Sequence, residues 1–158
     1  MAEGNVSLPS LPWRDPPPPL GRGHGGGAGY AWEGMSNVEL GEIVEDALIA
    51  EMGFVSALDR GGSSHVRKGA IDLLYGDAYA VECRAVTDDS HEYKIRMKPA
   101  EAARRNSAAL GAGLQPVTVM VVVTGTKGHV YWREGIGSFR LNRMWTYAGE
   151  VQLWWEGT

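Results

Sequence analysis

The pattern of apolar and polar positions divides this chain into a structured stretch and an unpatterned one. Val38, Ile43, Ala47, Leu48 and Met52 form an apolar stripe at helical spacing. Ser36 suits the N-cap, Glu39 three residues later completes a capping box, and Gly53 stops the helix. Phe54-Val55 opens a strand that fades toward Asp59, and Gly61–Ser64 reads as a loop. Ala70–Leu74 and Ala78–Ala85 predict two strands meeting in a hairpin at Gly76–Asp77. Thr87–His91 is polar and reads as a loop. Pro99 suits the first turn of a second helix that runs to about Leu110 and closes at Gly111 and Gly113. Val117–Val123 is apolar apart from Thr118 and predicts a continuous buried strand. Farther on, His129–Arg133, Ser138–Leu141 and Val151–Trp155 read as short strands or irregular extensions. The order helix, strand, strand, strand, helix, strand predicts an α/β domain with a central mixed sheet flanked by helices.

Residues 1–34 lack such a pattern. Pro16–Pro19 favours polyproline II, and Gly21–Gly29 is glycine-rich. Two readings stand: a tail that never orders, or an arm that orders on a protein partner with Trp13 and Trp32 as anchors. Residues 35–124 then form the core, and 125–158 an aromatic, β-rich extension. That extension carries Trp132, Trp145, Trp154, Trp155, Tyr131 and Tyr147. Packing onto the sheet is its default role, and a subunit interface is the alternative.

Composition narrows the field. The 158 residues suffice for one core of ordinary size. A net charge of −4 argues against a general nucleic-acid coat protein, so any DNA contact needs a local basic face. One cysteine, Cys83, excludes an internal disulfide and a cysteine-only zinc site. No apolar run reaches the ~18 residues of a membrane span, and no secretory signal pattern opens the chain. The expectation is a reducing, cytoplasmic setting, or a virion if a phage encodes the chain. His24, His65, His91 and His129 show no zinc spacing. Gly21–Gly29 lacks the Gly-Lys-Ser/Thr of a P-loop.

The candidate chemistry lies between Ile71 and Ala85. Asp72 and Glu82 sit on neighbouring predicted strands, where two carboxylates can converge on one hard cation. Glu42 lies on the first helix, ahead of Gly53-Phe54. Ile71-Asp72-Leu73, Glu82-Cys83-Arg84, the Pro99 helix and the Pro116–Val123 strand follow in order. This ordered set resembles the PD-(D/E)XK nuclease superfamily, and in particular the archaeal-type Holliday junction resolvases. The resemblance covers about residues 37–124.

That resemblance implies a restriction-endonuclease-like core and a Mg²⁺- or Mn²⁺-dependent endonuclease acting on branched or duplex DNA, commonly as a homodimer. It implies catalytic roles for Glu42, Asp72, Glu82 and Arg84. Metal ligands would be Asp72, Glu82 and the backbone carbonyl of Cys83. Arg84 stands where the family carries lysine. Guanidinium stays protonated and cannot act as a base, although it can hold a phosphate oxygen. A displaced lysine, Lys94 or Lys98, could take the role. Otherwise the chain is an inactive relative reused as a structural or assembly protein, such as a phage head-tail component. Arg60, Arg67, Lys68, Arg96, Arg104 and Arg105 flank the acids and form a candidate phosphate-contacting rim.

Overall fold

The computed structural model describes residues 7–17, 34–57, 71–87 and 93–154. Helix α1 spans Asn37–Met52, with Ser36 and Glu39 forming the expected reciprocal capping box and Gly53 taking the left-handed C-cap conformation. Strand β1 is Val55–Ser56, β2 is Leu73–Tyr75, β3 is Tyr79–Thr87 and β4 is Lys94–Ile95. Helix α2 spans Pro99–Gly111, with proline in its first turn. Strands β5 (Gln115–Thr124), β6 (Lys127–Glu134), β7 (Phe139–Arg140) and β8 (Thr146–Gln152) follow.

Six strands make one mixed sheet in the order β1-β2-β3-β5-β6-β8, and β4 pairs with β7 in a separate ladder. Strands β3 and β5 are parallel, in register from Tyr79↔Gln115 to Thr87↔Val123. A parallel neighbour needs a crossover connection, and α2 lies within it. The α/β class with a mixed sheet and helices is therefore present. The aromatic extension supplies β6 and β8, which continue the same sheet antiparallel to their neighbours.

Strand β5 explains the apolar run at Val117–Val123: nearly every residue of it is buried, because both faces are covered. Val117, Val119, Val121 and Val123 pack with Leu40, Val44 and Leu48 of α1. Met120 and Val122 point the other way, toward Tyr93, Ile95, Tyr131, Trp145 and Tyr147. Ala80 joins a third cluster with Ala57, Ile71, Leu74 and Ala109 of α2. The phase of α1 differs from the sequence expectation. Leu40 and Val44 are buried beside Ala47 and Leu48, whereas Val38 is 70% exposed.

Residues 8–17 are a strap over the last sheet strand. Leu8 is buried in the α1-side cluster, and the Trp132 indole donates to the Pro9 carbonyl at 2.8 Å. Leu11 forms an isolated antiparallel bridge with Tyr147 of β8. Trp13 then lies on the opposite face, its ring 5.4 Å from that of Tyr131. The strap thus passes from one face of the sheet round its edge to the other. Of the expected arm, the described residues 8–17 make their contacts with the chain's own sheet. Trp32 lies outside the described residues.

Candidate functional site

Strand β2 pairs with β3 only as far as Leu73↔Val81, and Asp72 lies just before β2. The hairpin opens there, and Asp72 fills the gap. Its Oδ2 accepts the Cys83 N–H at 3.1 Å, an amide that β2 no longer reaches. A strand residue sends its N–H and C=O to the same side, so the Cys83 carbonyl leaves β3 toward Asp72 as well.

Glu82, one residue earlier on β3, is 3% exposed. A buried carboxylate needs partners, and it has two. Arg84 Nε lies 2.7 Å from Oε2. Residues two apart on a strand share a face, which places this guanidinium beside the acid. Arg105 of α2 donates from NH1 to Oε1 at 2.7 Å, and the same nitrogen lies 3.9 Å from Asp72 Oδ1. Glu101, one helical turn before, holds Arg105 at 2.9–3.0 Å.

The arginines do not fully offset the burial of the acids. Burial first, and then the neighbouring Asp72, push Glu82 up to about 7 despite the opposing pull of Arg84 and Arg105. Asp72 is also raised, by burial and then by Glu45, against the stabilising Cys83 amide, a hydrogen bond to Glu82 and the Arg105 charge. Glu45 of α1 is raised by burial and by Glu82, Asp46 and Glu42. Like carboxyls close together resist simultaneous ionisation. Burial pushes the Cys83 thiol well up, which leaves it unreactive as a nucleophile.

Of the expected site residues, Asp72, Glu82 and Arg84 come together. Glu42 is exposed, and the α1 carboxylate that interacts with the pair is Glu45, three residues on. Arg105, expected on a DNA rim, turns inward and pairs with Glu82. Arg96, Lys98 and Arg104 are exposed, while Lys94 is half-buried in β4. Arg60, Arg67, Lys68 and His65 lie outside the described residues. Sequence reading missed Glu45 and the inward role of Arg105. The Glu101–Arg105 spacing of four signals only that the two share a helix face, not that Arg105 turns inward.

Two carboxylates and one backbone carbonyl are hard oxygen donors, a set suited to Mg²⁺, which keeps several waters of its own. Among the described residues, no three His, Cys, Asp or Glu side chains are grouped as metal ligands. A cation here would therefore rest on the pair and on solvent. Among the described residues, no helix is long and apolar enough to cross a membrane. No family model, no curated protein and no solved structure matches the chain.

Proposed function

We propose that the chain is a Mg²⁺-dependent DNA endonuclease of the PD-(D/E)XK kind, acting on branched or duplex DNA. One observation carries this reading. Asp72 and Glu82 meet where β2 and β3 diverge, and Glu82 is still held up to about 7 after two guanidiniums have bonded it. Two adjacent carboxyls beside a backbone carbonyl offer hard oxygen donors to a divalent cation. Asp72, Glu82 and the Cys83 carbonyl would hold the ion, which supplies a more acidic bound water and neutralises charge on the phosphate. Arg84, 37% exposed at its side chain, is available to a phosphate oxygen from the solvent side. Arg105, held by Glu101, keeps the Glu82 carboxylate in place.

A second reading has its own observation. Both Glu82 oxygens already carry an arginine partner, and this closed network suits a structural protein that kept the fold without turnover. The deciding experiment is cleavage of a four-way junction and a linear duplex with Mg²⁺ or Mn²⁺, beside Asp72→Asn. Metal-dependent cutting that disappears in the variant is the expected result. A folded native protein that cuts neither DNA with either metal sinks the nuclease reading in favour of the structural one.

A further inference from the structure

Two stretches of this acidic chain run against its overall charge. Residues 93–98 and 133–143 hold six lysines and arginines and one acid, Glu134, in a protein of net charge −4. The fold brings the two stretches together. Lys94–Ile95 pairs with Phe139–Arg140, Met97 and Ser138 exchange two hydrogen bonds, and the Leu141 N–H donates to the Tyr93 carbonyl.

Strand alternation sorts the side chains of this ladder. Tyr93, Ile95 and Met97 are buried, whereas Arg96 and Lys98 are exposed and Lys94 is half-buried. On the facing stretch Phe139 and Leu141 pack inward with Tyr93 and Ile95, and Arg140 between them is exposed. The register sets Lys94 directly opposite Arg140. The ladder is therefore apolar toward the sheet and basic toward solvent.

It lies on the face of the sheet that carries the acids. Met120, which packs with Tyr93 and Ile95, is the register partner of Arg84. In the next row Glu82, Thr118 and Arg133 are successive register partners across β3, β5 and β6. Residues paired in register share a face. Two strand spacings put the Arg133 backbone roughly 10 Å from that of Glu82. The Arg133 guanidinium then lies 3.8 Å over the Phe139 ring. The row that holds Glu82 thus runs into the basic ladder.

We propose that the outer side of the β4–β7 ladder docks the phosphate backbone of duplex DNA and holds it beside Asp72 and Glu82. The choice of DNA as the polyanion rests on the nuclease reading. Backbone contacts of this kind fix position without reading sequence, and they weaken steeply with salt.

Fluorescence anisotropy of a labelled duplex in EDTA separates docking from cleavage. The native chain is expected to bind at low salt, with log affinity falling linearly against log salt concentration. Arg96→Gln/Arg140→Gln is expected to bind more weakly and to lessen that slope by about two, one for each phosphate contact. Lys127→Gln, at the other end of β6 from Arg133, should leave affinity and slope as they are. If the double variant fails to fold by circular dichroism, Arg96→Gln alone replaces it, with a slope change of about one. A native chain that binds no duplex overturns the proposal. So does a folded variant with native affinity and slope. Polyglutamate that displaces the duplex at equal charge concentration also overturns it, and assigns the ladder to an acidic protein instead. Ladder-dependent binding without metal-dependent cutting sustains the docking surface and removes the nuclease reading. Cutting by a variant that still binds as the native chain does has the reverse meaning.

Discussion

Arg105 NH1 lies 2.7 Å from Glu82 and 3.9 Å from Asp72, so one guanidinium on α2 serves carboxyls from two segments of the sheet. Its side chain is 13% exposed and that of Glu82 is 3% exposed. Removing one partner of a buried pair leaves an uncompensated charge and costs about 3–5 kcal/mol. Arg105→Met is therefore expected to lose stability of about that size in urea unfolding at pH 8. Arg105→Lys keeps the charge without the planar fork and should fall between the two.

The same acids give stability an inverted pH dependence. Glu82 is raised from its ordinary carboxylate value to about 7, so between those limits the folded state holds a proton that the unfolded state has released. Stability from this group is full below the ordinary value and is lost as pH rises through about 7. The slope approaches about 1.4 kcal/mol per pH unit for one proton. Unfolding measured between pH 5 and pH 8 in native protein and Glu82→Gln should show this slope only in the native chain. Equal pH profiles would remove the burial argument.

Asp72 has a structural task separable from any metal. Asp72→Asn keeps an oxygen for the Cys83 amide, whereas Asp72→Ala orphans it at a cost of about 1–3 kcal/mol. Alanine is expected to lower the urea midpoint more than asparagine. The asparagine variant is thus the one that tests the proposed cation site in a folded protein.

Leu8 and Leu11 should answer very differently to truncation. Leu8 is 3% exposed within the main core, and Leu11 is 49% exposed. Leu8→Ala is expected to cost about 2–5 kcal/mol by thermal or urea unfolding, and Leu11→Ala much less. Comparable effects would contradict the docked strap.

Gly128 tests the packing beneath β6. A Cβ there would meet Val121 Cγ1 at 2.5 Å and Val151 Cγ2 at 3.3 Å. Both neighbours are short, branched core side chains that cannot swing away. Gly128→Ala is expected to lose about 1–3 kcal/mol in the same unfolding assay.

Local chemistry made part of this fold legible. The Ser36–Glu39 box, Gly53, Pro99, the turn after Tyr75 and the Val117–Val123 run each act within a few residues, and each appears in place. Strand β8 was largely missed: only its end, Val151-Gln152, fell within the expected strand. Ala148, Gly149 and Glu150 carry little strand signal, and the pairing slips at Val130/Tyr131. In the site, the Asp72–Glu82 meeting follows from a hairpin and was readable. Arg105 was not, because its inward turn depends on how α2 packs. Glu42 and Glu45 differ by three positions, about 60° round the helix, and only tertiary packing chooses between them.

The strap also fixes an order of events during synthesis. Leu11 finds its bridge on Tyr147, which leaves the ribosome long after it. Until then Leu8 and Trp13 have no sheet edge to cover, and β8 has no cover when it arrives. Such distant pairings are slow to close. The earliest of the described residues to be made are thus among the last to be secured, and the newborn chain must carry two exposed apolar surfaces that only meet at the end.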